Sequence, residues 1–254
     1  PGTSGRTVRE ATRPVAAQAS LRPWPLDDTM AQLVLLDVDM VPTRHDVATW
    51  LDDAADSVSS DVTVLRTGAM YRRSIAAFID AGFHVADELT LLERPLIGAP
   101  PTVDRHRRPE HVRLGRLAER DLLEAARIDQ ASFPPGWRHD AASLGEIAAA
   151  TPQARRRLAR TGRRGAREAV GFSITGKAGT VGYLQRIAVH PDARRLGVAA
   201  ALVDDALGWL MRRGAARCLV NTGTDNAAAL AMYASLGFEV CDDDLVVLEY
   251  RFAP

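Results

Sequence analysis

The run Gln185-Arg186-Ile187-Ala188-Val189-His190-Pro191-Asp192-Ala193-Arg194-Arg195-Leu196-Gly197-Val198-Ala199 constrains this chain more than any other. It predicts a strand over 181–189, a turn marked by Pro191, and a loop that opens a helix. Leu196 to about Met211 reads as helical, because Leu202, Val203, Ala206, Leu207 and Leu210 recur at helical spacing. A loop that feeds a helix N-terminus offers free backbone N–H groups and the positive end of the helix dipole, which together suit an anion. Small residues at Gly197 and Ala199 let phosphates approach the backbone, and Arg194 and Arg195 add charge. Taken alone, the loop fits a phosphate-bearing ligand or an ordinary turn and helix start.

Leu219-Val220-Asn221-Thr222 follows as a short strand. Asp225-Asn226 then opens a helix, Ala227 to Leu236, which stops at Gly237. Three local patterns therefore stand in order: Arg194-x-x-Gly197-x-Ala199, then Asn226, then Met232-Tyr233-Ala234-Ser235-Leu236-Gly237-Phe238. In this order they resemble the GNAT superfamily of acyl-CoA N-acetyltransferases, over roughly residues 111–254. The resemblance implies an α/β (α+β) fold, a mixed central sheet flanked by helices. It implies acetyl-CoA as acyl donor, no metal, and direct acetyl transfer to a primary amine of a small molecule or a peptide or protein N-terminus. A non-catalytic acetyl-CoA sensor or scaffold is the alternative. The cofactor would lie on Ile187, Ala188, Val189, Arg194, Arg195, Leu196, Gly197, Val198, Ala199, Ala200 and Asn226.

Composition narrows the partners. Lys+Arg and Asp+Glu each number 32, so bulk attraction to nucleic acid or an anionic membrane is not expected. The arginines at 155–157, 160, 163, 164 and 167 read as a solvated strand and turn, with a polyanion site as the alternative. Cys218 and Cys241 lie in or beside expected strands and read as reduced thiols of a cytoplasmic protein. Residues 1–20 lack the apolar core of a secretory signal, and no window approaches the roughly 20 apolar residues of a membrane span. The histidines show no metal-ligand spacing. Gly171 to Lys177 has P-loop spacing, but Ala178 replaces the hydroxyl residue and Gly171 sits in an alternating strand, so that motif is rejected.

Self-similarity organises the rest. With Thr67-Gly68 set on Thr222-Gly223, Ala76 falls on Ala231, Phe78 on Tyr233, Gly82-Phe83 on Gly237-Phe238, and Val85 on Val240. Residues 26–97 thus read as a degenerate partial copy of the C-terminal half. Residues 1–25 read as a flexible tail, 98–110 as a Pro-containing linker, and 111–254 as the catalytic unit. The layout resembles two-copy actinobacterial members of the family, although the first copy here is incomplete. That copy lacks Arg-x-x-Gly-x-Ala, and Asp37 and Asp39 place negative charge where phosphates would lie.

Acetyl transfer requires a deprotonated amine, a stabilised thioester oxygen and a proton for the leaving thiolate. The resemblance assigns the oxygen to backbone N–H groups of Ile187–Val189 and the proton to Tyr233. From the residues alone Tyr233 could equally be core packing. Many family members use a Glu as base on the cofactor strand or the next one; here Gln185 and Asn221 stand there, so a proton would leave through water held by both. Deprotonating a lysine amine at pH 7 costs about 4.6 kcal/mol and an α-amino group only about 1 kcal/mol, so a site of neutral groups favours a low-pKa amine. His139 and Asp140 are alternative bases or plain loop. The resemblance also implies that the loop between the first two helices, 133–140, borders the acceptor through Phe133 and Trp137, with Trp137 either a wall or buried. A monomer or a homodimer is expected.

Overall fold

The structure is a computed structural model that describes residues 19–35, 41–98, 111–162 and 167–252. Asp37, Asp39, Arg163, Arg164 and most of the 98–110 linker lie outside those residues. The first segment runs β1 (Ala19–Pro23), β2 (Met30–Leu35), α1 (Arg44–Ser57), β3 (Val64–Thr67), the short β4 (Met70–Tyr71), α2 (Ala76–Asp80) and β5 (His84–Pro95). The second runs β6 (Arg113–Arg116), α3 (Leu122–Ser132), α4 (Ala141–Ala149), β7 (Gln153–Thr161), β8 (Glu168–Ala178), β9 (Val181–Val189), α5 (Val198–Arg212), β10 (Arg217–Gly223), α6 (Ala227–Ser235) and β11 (Glu239–Arg251). Residues 19–23 differ from the expected tail: they pair with β2 from Ala19–Leu35 to Pro23–Ala31, because Ala19 and Leu21 can pack on the first core.

All strands join one sheet in the order β1-β2-β3-β11-β5-β10-β9-β8-β7-β6, with β4 beside β11. The last strands of the two segments are exchanged. β5 lies between β10 and β11, and β11 lies between β3 and β5. The centre of the exchange is the antiparallel β5–β11 pair, where Leu89 faces Leu245 and Thr90 faces Asp244. Each core therefore contains residues from the other segment. Val246 and Leu248 pack with Leu33, Val47, Trp50 and Phe78. Leu92 and Leu96 pack with Leu184, Leu207, Tyr233 and Phe238.

The two segments also share helix ends. Both α2 and α6 stop at a glycine with positive φ, Gly82 at 97° and Gly237 at 78°. In each case the next residue, a phenylalanine, donates its N–H back to an aromatic residue: Phe83 to the Phe78 carbonyl at 3.0 Å, and Phe238 to the Tyr233 carbonyl at 3.1 Å. The paired rings meet edge to face, at 5.2 Å for Phe78–Phe83 and 5.4 Å for Tyr233–Phe238. This is a glycine C-cap with its accompanying apolar contact.

Two sequence expectations acquire contacts here. The arginines of β7 are not simply solvated: Arg155 and Arg157 each grip Asp205 of α5 through two hydrogen bonds, Arg156 pairs with Glu119, and Arg160 pairs with Asp121 and Glu124. Carboxylates on the packed helices neutralise them, so these half-buried arginines are committed to intramolecular ion pairs. Gly171 to Lys177 lies within β8, and Lys177 is buried with its ammonium on the Gly179 carbonyl.

Candidate active site

β9 and β10 are parallel but pair only at Val181–Arg217, Gly182–Cys218 and Tyr183–Leu219. Beyond that point each follows a different neighbour. β9 stays with antiparallel β8 as far as Val189, and β10 stays with β5 as far as Gly223. The two strands are pulled apart, and a wedge opens between 184–189 and 220–223. Ile187, Ala188 and Val189 lie along this edge, where no strand of the sheet meets them on the β10 side. A register shift between β8 and β9 leaves Gln185 as an extra residue and bends the strand there.

β9 leads into the loop to α5. Arg195 has φ 62° and Gly197 has φ 74°, so the chain twice takes the left-handed conformation before the helix. Gly197 is the N-cap and has no side-chain acceptor, so the N–H groups of the first turn, Val198, Ala199 and Ala200, face outward without a cap. Arg194, Arg195, Leu196 and Gly197 are exposed, while the Val198 side chain is buried in the core and can contribute only backbone. Arg194 donates to the Ser132 carbonyl at 3.3 Å, and the Ser132 hydroxyl donates to the Val189 carbonyl at 3.1 Å.

Tyr233 is 3% exposed and shares a core cluster with Leu184, Cys218 and Val220, residues of β9 and β10 at the apex of the wedge. Among the described residues its hydroxyl has no hydrogen-bond partner. Burial raises its pKa well above the usual value, with the neighbouring Cys218 adding to the shift, so the group stays protonated at neutral pH. Asn226 caps α6: its carbonyl oxygen accepts from the Ala229 N–H at 3.2 Å and its amide donates to Thr222 Oγ1 at 3.1 Å.

The residues suggested for proton removal separate. Asn221 is exposed on β10, beyond the β9–β10 pairs. Gln185 is turned to α4, where its amide donates to the Ile147 carbonyl at 2.9 Å and its Oε1 is buried without a partner. Its amide is thus committed to α4 and not to a group shared with Asn221. Asp140 is the N-cap of α4, accepting from Ser143 N–H at 2.8 Å. His139 is lowered to about 4 by burial and by the Arg186 charge, which makes it a weak base.

On the expected acceptor side, Phe133 lies under the Arg186 guanidinium, 3.5 Å from carbon to ring centroid. Trp137 is half-buried against Leu89, Leu91, Leu245 and Val247, and Arg66 of β3 stacks on it at 5.2 Å. Arg66 is also held by Asp87 and by Glu249 at 2.8 Å, with Trp24 at 5.4 Å. Arg66 could not be singled out from the sequence, since its role depends on four separate segments, those of Trp24, Asp87, Trp137 and Glu249, meeting it.

Residues 113–238 match the model of the acetyltransferase (GNAT) family. This segment belongs to the GNAT family. Over 189 residues, covering 67% of this chain and 63% of the relative, the sequence is 31% identical to a mycothiol acetyltransferase from a Nocardioides species. It is 40% identical over 67 residues to the [ribosomal protein bS18]-alanine N-acetyltransferase of Escherichia coli K12, covering 26% of this chain and 45% of that one. The chain thus spans 63% and 45% of the length of these curated relatives. Among solved structures, a tandem GNAT protein from the clavulanic acid biosynthesis pathway superposes with TM-score 0.65 at 16% identity, covering 89% of this chain and 76% of that one. A GCN5-related N-acetyltransferase from Sphaerobacter thermophilus gives 0.62 at 16% identity, covering 94% and 78%. At such identity these likenesses show the GNAT fold. Among the described residues no helix is long and apolar enough to cross a membrane.

Proposed function

We propose that this chain is an acetyl-CoA-dependent N-acetyltransferase acting on a primary amine, built from a partial and a complete GNAT copy with exchanged last strands. The observation that carries the reading is the β9–β10 wedge ending at an uncapped α5 N-terminus, with Tyr233 at its apex. A pyrophosphate suits the first-turn N–H groups and the flanking Arg194 and Arg195. The pantetheine arm then follows the open edge of β9 past Asn226, and the thioester oxygen meets a backbone N–H of Ile187–Val189.

The amine nitrogen attacks the thioester carbon and the C–S bond breaks. Tyr233 supplies the proton to the thiolate. The amine's proton leaves through water beside Asn221. With Gln185 withdrawn and His139 a weak base, the site removes a proton poorly, which favours an α-amino or similarly acidic amine over lysine. The two free thiols, Cys218 and Cys241, support a cytoplasmic setting.

In this reading the first copy lacks the site, and two observations support that. β2 and β3 stay paired through Leu33–Thr67, where the matching β9 and β10 positions have parted. The N-terminus of α1 is closed by a capping box: Thr43 Oγ1 accepts from Asp46 N–H at 3.2 Å, and Asp46 accepts from Thr43 N–H at 2.8 Å. An anion would face a filled cap and a carboxylate. Thiolate release from acetyl-CoA, measured with a panel of small amines and peptides with free N-termini, tests the proposal. Binding of acetyl-CoA with no release on any acceptor would assign the chain to the sensor class instead.

A further inference from the structure

Asp129 on α3 is fully buried, and Arg186 on β9 is nearly so, with its side chain 9% exposed. Arg186 meets Asp129 in a fork, Nε to Oδ2 at 2.7 Å and Nη2 to Oδ1 at 3.0 Å. The same Nη2 donates to the Trp137 carbonyl at 2.6 Å, and the guanidinium carbon lies over the Phe133 ring, 3.5 Å from its centroid. Asp129 Oδ1 also accepts the His139 N–H at 2.8 Å. One buried ion pair thus fixes residues 133, 137 and 139 of a loop that otherwise has only a single 3-10 turn, Pro135–Trp137, of regular structure. Arg186 directly follows the bulged Gln185 and precedes Ile187, whose backbone borders the wedge.

We infer that the Arg186–Asp129 pair is a positioning device for the acceptor side, holding loop 133–140 in register with the strand that carries the thioester. The inference rests on the reading of the wedge as the acetyl-CoA site. A stability role alone does not require this design: buried ion pairs are often no better than apolar packing of similar volume. What the fork supplies is direction, because a planar guanidinium can satisfy the carboxylate, the Trp137 carbonyl and the Phe133 face together, and an ammonium cannot.

Two full-length variants test it, Arg186→Lys and Asp129→Asn, with three measurements on each. Hydrogen exchange of residues 133–140 should speed by at least about 10-fold while the core strands keep their protection, since local opening is independent of global stability. KM for an alanyl dipeptide amide used as acceptor should rise by about 10-fold or more while KM for acetyl-CoA stays within about two-fold, the split expected when only acceptor placement is lost. Titration calorimetry with acetyl-CoA should be unchanged. Unchanged loop exchange in both variants overturns the inference, as does a uniform loss of protection across the whole sheet in both, which would make the pair purely structural. Failure of the parent protein to bind acetyl-CoA refutes the wedge reading instead, and the exchange result still decides whether the pair holds the loop.

Discussion

Replacing Tyr233 by phenylalanine separates chemistry from packing unusually well in this chain. The ring of Tyr233 sits edge to face with Phe238 at 5.4 Å, and the matching position in the first segment, Phe78, makes the same contact with Phe83 at 5.2 Å while completely buried. The fold therefore already contains a working phenylalanine in this environment. The Tyr233 hydroxyl has no partner among the described residues, so its removal breaks no internal hydrogen bond and should change stability by no more than about 1 kcal/mol. If the hydroxyl protonates the leaving thiolate, turnover should fall by about 10²- to 10⁴-fold, the span for a positioned acid. That is about 3–5 kcal/mol of transition-state stabilisation at roughly 1.4 kcal/mol per decade. The two expected effects differ enough to be told apart by thiol release under saturating acetyl-CoA, with thermal unfolding and acetyl-CoA calorimetry alongside. Turnover within about three-fold of the parent, in a variant of parental stability, would remove Tyr233 from the mechanism. A large loss of stability instead would mean that the hydroxyl has a packing role that Phe78 does not reveal.

Gly197→Glu should abolish acetyl-CoA binding by calorimetry, because a carboxylate would stand at the uncapped end of α5; Gly197→Ala is the control for the strain of φ 74°, about 1 kcal/mol, and should still bind. Thr43→Ala should lower stability by about 1 kcal/mol through loss of the α1 cap and leave acetyl-CoA affinity unchanged, which a shifted affinity would contradict. His139 is lowered to about 4 in the fold against 6.5 in the unfolded chain, so the unfolded state binds the extra proton first. Stability should be intact above pH 6.5, fall by up to about 3 kcal/mol as pH drops toward 4, and lose that slope in His139→Asn, as followed by urea unfolding at several pH values.

The parts of the site made of contiguous residues were legible, and the parts made by distant contacts were not. The helix start at Gly197, the stop at Gly237 and the strand ending at Val189 each follow from local spacing. Strand alternation says nothing of a bulge, and with the extra residue at Ile174–Thr175 against Leu184–Arg186 the Gln185 amide bonds to Ile147 on α4. The basic run reads as a solvated face in sequence because its partners, Asp205, Glu119, Asp121 and Glu124, lie on helices separate in sequence. Phe133 and Trp137 were correctly grouped in one loop, yet what holds them, Arg186 and Arg66, comes from strands on either side of the central exchange.

The interleaving of β5 and β11 could not be read from the sequence, since a strand's own alternation is the same whichever neighbour it joins. β5, a strand of the first segment, pairs with β10 over seven positions from Arg217–Pro95 to Gly223–Leu89, well beyond the three at which β10 meets β9. In the first segment β11 meets β3 at only three positions, Arg66–Glu249 to Val64–Arg251, and β3 remains zipped to β2. The first segment thus contributes to the candidate site even though its own helix N-terminus is capped, and residues 111–254 expressed alone should fail to fold. Between β10 and β11 that fragment would have an unpaired gap where β5 belongs, and the second core would lose Leu92 and Leu96, each buried side chain worth about 1.5–3 kcal/mol. Adding residues 1–98 as a separate chain should restore both the cooperative unfolding transition and acetyl-CoA binding. A fragment 111–254 that unfolds cooperatively and binds acetyl-CoA without that addition would show that the wedge needs no borrowed strand.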